Sequence, residues 1–228
     1  MNKPELPRPA MPDTSDPVIA AAQAAVRRMR GRLSTLPDDG LDLLFREARS
    51  HAAWLDRPVS DDDLRAIYEV TKFGPTSTNG NPGRFVFVRN KADKERLAAC
   101  AAPANGQKIM NAPVTAIIAH DTEFWRHMPT LFGHNPGKME DYRTKPEYAE
   151  VTAFRNSTLQ GAYFMVAVRA LGFDVGPLSG FDNAKVDAAF FADGNLRSNF
   201  LCNIGHADER AMFQRLPRLD FDEVCTIL

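Results

Sequence analysis

Residues 150–171 read EVTAFRNSTLQGAYFMVAVRAL. This is the longest helical stretch of the chain, and from Leu159 to Leu171 it is apolar on nearly every side. A surface helix of a globular protein shows a single apolar stripe, so a helix apolar all round belongs in the middle of something. Working outward from it, Arg84-Phe-Val-Phe-Val88 and Val114–Ala119 read as strands. The second of these is a continuous apolar run, which predicts burial on both faces. Val175 begins a short strand and Phe200–Ile204 forms another. Strands and helices alternate, but one long buried helix does not suit a single doubly wound sheet. The pattern predicts an α+β domain in three layers, α/β/α, around a long central helix.

The other helices carry their own signals. Val18–Arg32 is Ala-rich with arginines at its end, where cations favour the helix dipole. Leu41–His51 places Leu44, Phe45 and Ala48 on one face. Ser60 is an N-cap for a helix that opens on Asp61, Asp62 and Asp63 and carries Leu64, Ile67, Tyr68 and Thr71 at helical spacing. Gly74-Pro75 ends it. Lys94–Ala101 is a further helix. Residues 1–40, with Pro4, Pro7, Pro9, Pro12 and Pro17 at the start, read as an extension to a domain spanning 41–228. The segment from about 120 to 149 is polar, charged and aromatic, and a connection this long inside a compact domain reads as a lid.

Composition narrows the function. The 228 residues carry a formal charge of −1, with 44% hydrophobic and 25% charged side chains. That balance argues against a nucleic-acid binder, which shows a basic face. No apolar run approaches the roughly 20 residues a membrane-spanning helix needs. Cys100, Cys202 and Cys225 are dispersed and form no C-x-x-C, which fits reduced thiols in the cytoplasm. No apolar segment follows Met1 as in a secretory signal. The histidines show no metal-ligand spacing, so no metal site is expected. Neither a G-x-G-x-x-G nor a G-x-x-x-x-G-K is present, which removes the Rossmann and P-loop sites.

Three segments remain that could carry chemistry. Arg49-Ser50 pairs a permanently charged fork donor with a hydroxyl, a combination that can clamp a phosphate. Gly74-Pro75-Thr76-Ser77-Thr78-Asn79-Gly80-Asn81-Pro82-Gly83 is dense in hydroxyls and amides and leads directly into a strand. It is longer than a turn requires and suits a surface that hydrogen-bonds a polar ligand. Gly176-Pro177-Leu178-Ser179-Gly180-Phe181-Asp182 follows a strand start and lets backbone approach a ligand closely.

In this order, the three segments resemble the FMN-dependent nitroreductase superfamily, nearest its malonic semialdehyde reductase branch. The resemblance runs from about Leu41 to Leu228. Arg49-Ser50 with Pro58-Val59 is similar to the N-terminal phosphate motif of that family, residues 74–88 to its flavin loop and following strand, and residues 176–187 to the segment beneath the flavin ring. The resemblance implies the nitroreductase-like fold and an obligate homodimer with FMN at the subunit interface, built around the long helix. It places Arg49 and Ser50, with Arg218, at the FMN phosphate and ribityl end. Thr76, Ser77 and Asn79 would line the site from the other subunit, and Pro75 of the same loop would also bind the cofactor. Asn105 and Lys108 would meet the pyrimidine end of the ring, with Lys108 supplying a positive charge at N1/O2, and the backbone at Ser179 and Gly180 would face N5 and O4. The chain departs from the common family pattern at Ala52, where many members carry a second arginine, at Asn81 and Gly83, where they carry Gln and Trp, and at Ser179, where Glu is frequent.

The activity implied is hydride transfer from NADH or NADPH to a small acceptor, such as malonic semialdehyde, a nitroaromatic or a quinone. Arg126, His127, Arg143 and Lys145 in the lid are candidates for a substrate carboxylate. Because a flavin carries the hydride chemistry itself, the absence of a triad or a carboxylate pair is in keeping. The alternative is a protein of the same fold that holds FMN or a phosphate without turnover.

Overall fold

The computed structural model describes residues 12–33, 35–192 and 194–228. Pro4, Pro7 and Pro9 lie outside the described residues. The chain divides into two units, Met1–Arg46 and Glu47–Leu228. The first holds α1 (Pro17–Arg32) and α2 (Asp38–Leu41), the latter running into a π-helical turn at Asp42–Arg46. Asp16 caps α1 by accepting from the Val18 N–H at 2.8 Å.

The second unit runs α3 (Asp61–Thr71), β1 (Gly83–Val88), α4 (Lys91–Ala98), α5 (Pro103–Asn111), β2 (Val114–Asp121), α6 (Met128–Leu131), α7 (Pro136–Thr144), α8 (Pro146–Ala170), β3 (Asp174–Leu178), α9 (Asn183–Phe190), β4 (Leu196–Gly205) and α10 (Phe221–Val224). The four strands form one antiparallel sheet in the order β1-β2-β4-β3. Gly176 of β3 stands opposite Asn203 of β4, and Val114 of β2 opposite Ile204.

Every residue of β2 is buried, as its apolar run predicts. Helices cover both faces of the sheet. Ala116, Ile118, Cys202 and Ile204 pack beneath Leu64 and Ile67 of α3 and Phe164, Ala167 and Val168 of α8. Ile117, Ala119 and Leu201 point the other way, against Leu97 of α4, Ile109 of α5 and Val186 of α9. This is the three-layer arrangement that the sequence predicts. The alternation of side chains along β2 and β4 feeds two separate cores. The lid segment has a third core, in which Phe124, Met128 and Tyr142 pack with Ala149 and Ala153 of α8.

Two local expectations change. Leu41–His51 is not one helix: helical turns end at Arg46, and Ser50 forms a parallel bridge to Val175. The His51 N–H donates to the Val175 carbonyl at 2.9 Å, so pairing with β3 overrides the local helical pattern. The long helix α8 is not enclosed on all sides either. Its inner face mixes Phe164 and Val168 with the buried polar residues Thr152, Asn156, Ser157 and Gln160, while Phe154, Leu159 and Tyr163 are exposed.

Candidate cofactor site

The bridge between Ser50 and Val175 brings the Arg49 segment to the start of β3. Arg49 is half-buried, and its Nη1 is buried without a hydrogen-bond partner. His51 lies two residues on, with Nε2 3.4 Å from Asp174 Oδ1 and Nδ1 buried and unpartnered. Two further guanidinium groups converge on the same backbone: Arg169 Nη2 donates to the Arg49 carbonyl at 3.4 Å and Arg215 Nη2 to the Ala48 carbonyl at 3.0 Å. Burial pushes the His51 imidazole below its ordinary pKa, Asp174 opposes this, and Arg169 and Arg49 add to it. Burial likewise lowers Arg169. Buried donors are nearly always paired in folded proteins, so an unpaired guanidinium nitrogen among further cations asks for an anion.

At the far end of β3, the Gly180 carbonyl accepts from the Ala102 N–H and from Asn105 Nδ2, both at 3.1 Å. A Cβ on Gly180 would run into the Asn105 amide, so a larger residue there would have to displace that side chain. Lys108 sits one turn after Asn105 on α5, half-buried, and its carbonyl accepts from the buried Asn203 at 3.2 Å. Asn203 also accepts from Thr115 at 2.6 Å, which fixes α5 to the sheet beneath. Val175 and Gly180 are five residues apart, at most about 17 Å of extended chain. Arg49 is thus brought to the start of β3 and Asn105 to Ser179–Gly180 just past its end, while Lys108 is held against Asn203 of β4. Ser50 shares that bridge with its side chain exposed.

Pro75, Thr76, Ser77 and Asn79 lie elsewhere on the chain. The Ser77 N–H donates to Asn156 of α8 at 2.7 Å, and Asn79 Nδ2 to the Leu131 carbonyl of α6 at 3.0 Å. Asn156 and Arg169 are thirteen residues apart on α8, about 20 Å along its axis. The loop residues therefore stand a long way from the Arg49 end within one chain. Of these four, Asn79 lines a cleft of about 830 Å³ that it shares with Asn81, Arg84, Phe73, His127 and Gln160. Arg218 is exposed and donates to the carbonyls of Leu216 and Pro217 in its own segment; it is Arg215 that reaches the residue before Arg49. Of the lid cations, Arg126 pairs with Glu123 and Arg143 with Glu140.

Sequence reasoning did not single out His51, Arg169, Arg215, Asn156 or Gln160. For His51 a signal existed: two residues after Arg49 in extended chain, it shares the same face. For the others, only the packing of α8 and the C-terminal segment shows the role.

The sequence profile described as Nitroreductase family matches residues 45–206. A protein from Ralstonia pickettii, provisionally named NADH dehydrogenase/NAD(P)H nitroreductase HadB, is 54% identical over 189 residues, covering 82% of this chain and 96% of its own. A similarly named protein from Caulobacter vibrioides is 52% identical over 196 residues, covering 86% of this chain and all (100%) of its own. Among solved structures, ydfN of Bacillus subtilis, provisionally a nitroreductase, superposes with a TM-score of 0.75 at 21% identity, covering 84% of this chain and 100% of that one. A provisionally named nitroreductase from Exiguobacterium sibiricum, solved in complex with FMN, superposes with a TM-score of 0.70 at 18% identity, covering 85% and 99%.

Proposed function

Because this chain belongs to the nitroreductase family, we propose that it is an FMN-dependent oxidoreductase that takes hydride from NADH or NADPH and delivers it to a small acceptor. The observation that carries the reading is Arg49: a buried guanidinium nitrogen without a partner, beside Arg169 and Arg215, at one end of the strand whose other end leads to Gly180 and Asn105. A ligand with an anionic tail and a planar, polar head fits both ends, and FMN has that form.

When bound, FMN supplies the hydride carrier. The chain's own residues hold and tune it. Arg49, with Ser50, would hold the phosphate, and the half-buried His51 would stand beside them. Asn105 and the Ser179–Gly180 backbone would orient the ring. Lys108 has no ion-pair partner among the described residues, so its charge is available to the pyrimidine end.

The site would be completed in a homodimer, with Pro75, Thr76, Ser77 and Asn79 supplied by the other subunit. Large exposed apolar side chains support this: Phe73 is 79% exposed, Phe213 85% and Leu216 72%, beside Phe154 and Tyr163 of α8. Large apolar side chains exposed in this number suit burial against a second subunit. The dispersed thiols suit the cytoplasm, and among the described residues no helix is long and apolar enough to cross a membrane. Ser179 in place of the frequent Glu favours a semialdehyde acceptor, malonic semialdehyde in the first instance. The test is an acceptor panel under NADH and NADPH. The highest kcat/KM is expected with malonic semialdehyde. A preference for nitrofurazone or menadione would keep the oxidoreductase and discard the semialdehyde.

A further inference from the structure

Asn156 and Gln160 lie one turn apart on the inner face of α8, and they are only 4% and 5% exposed. Each side-chain oxygen accepts a backbone N–H from the loop before β1, Asn156 from Ser77 and Gln160 from Gly83, both at 2.7 Å. Their amino groups are spent elsewhere: Asn156 donates to the Thr152 carbonyl at 2.8 Å, and Gln160 reaches Asn81 Oδ1 at 3.5 Å. With the donors so engaged, the acceptor of each amide faces the loop.

Between these two anchors the loop is strained. Thr78, Asn79 and Asn81 have φ of 52°, 50° and 43°. Left-handed backbone is rare outside glycine and is a marked outlier for the β-branched Thr78. Such conformations persist only where the surroundings over-determine them. Gly83 is part of the same device. A Cβ there would stand 2.7 Å from Gln160 Oε1, so any larger residue must push the Gln160 amide aside.

We infer that Asn156 and Gln160 are positioning residues that clamp the two ends of the loop and set the groups it presents to flavin. The inference rests on the loop lining the FMN site. Asn79 is the carrier of the effect, because its amide spans to Leu131 of α6 and its backbone lies between the clamps. A loop freed at Gly83 would relax Asn79 and Asn81 out of the left-handed region and displace the backbone it presents to the ligand.

Full-length protein, with and without FMN, provides the test. Amide hydrogen exchange at Ser77 and Gly83 reads the clamp without any flavin, and FMN fluorescence titration reads its consequence. Gln160→Met removes the acceptor at similar volume, and Gln160→Glu retains an oxygen for the Gly83 N–H. In Gln160→Met, Gly83 protection is expected to collapse and FMN affinity to fall by at least about tenfold, the scale of one lost buried hydrogen bond. Gln160→Glu restores both. Gly83→Ala leaves α8 intact, pushes the amide away and gives the same loss, should Gln160→Met not fold. Unchanged protection, or lost protection with unchanged FMN affinity, overturns the inference. Parent protein that takes up no FMN overturns instead the reading of the site on which the inference rests.

Discussion

Arg49 is the residue on which the proposed FMN site turns. Its Nη1 is buried and unpaired, and its carbonyl is met by Arg169. Arg49→Ala should therefore leave the fold intact while weakening FMN by about 1.5–3 kcal/mol, or roughly 10- to 150-fold, the range for a charge-assisted contact. Equilibrium dialysis checks this, and full FMN occupancy in the purified variant would remove Arg49 from the phosphate. Lys108 makes a different kind of contribution. Its charge would favour the ring after hydride arrives more than before, so Lys108→Met should retain FMN and slow its reduction about 10- to 100-fold, each order being about 1.4 kcal/mol of barrier. Stopped-flow reduction with an unmoved flavin potential and parental rate would leave Lys108 a bystander. Cys202 stands at the opposite extreme of chemical engagement. It is fully enclosed under the sheet face, and burial pushes its thiol up to about 12, which keeps it unreactive at neutral pH.

Among the elements, α3 shows how far local sequence determines local structure. Ser60 accepts from the Asp63 N–H at 3.1 Å and Asp63 accepts in return from the Ser60 N–H at 2.8 Å, a reciprocal capping box. Ser60→Ala should cost about 1 kcal/mol, read as a lower urea midpoint at unchanged slope. This helix, β1, β2 and β4 were legible because each carries its own period and punctuation. Leu41–His51 was not. Its apolar spacing is helical, but Ser50 and His51 are claimed by β3, a partner more than a hundred residues away. α5 was also hidden: Pro103 opens it and only Gly106 and Ile109 are buried, so little periodicity marks it. The site divides in the same way. Arg49, Asn105, Lys108 and Gly180 are candidates from motif order alone, yet the unpaired state of Arg49 and the imidazole beside it exist only once β3 is in place. The polar inner face of α8 was masked by its apolar composition. Asn156 and Gln160 look like interruptions in sequence and act as ligands for the loop in space.

At the scale of the whole molecule, acid should destabilise the protein more than its net charge of −1 suggests. Burial lowers His51 below the ordinary histidine value, against Asp174 and with Arg169 and Arg49, and burial with Arg57 lowers His206. A depressed folded pKa means that the unfolded chain binds more protons below about pH 6.5, so stability is full above that pH and is lost as pH falls through the folded values. The apoprotein Tm is expected to drop between pH 7.5 and 5.5, and a phosphate anion beside His51 should narrow the drop in the FMN-loaded form. An equal drop in both forms would separate His51 from the ligand. The proposed dimer is tested by light scattering at micromolar concentration: two chains per particle are expected, and a well-folded monomer would leave Asn79 and Arg49 in separate places with no shared ligand. Anaerobic spectroscopy of the FMN-loaded protein decides whether these two ends hold a flavin that turns over. The yellow absorbance is expected to bleach on adding NADH or NADPH and to return when a small acceptor is added. A spectrum that stays yellow with both nucleotides would contradict turnover and leave a binding protein of the same fold.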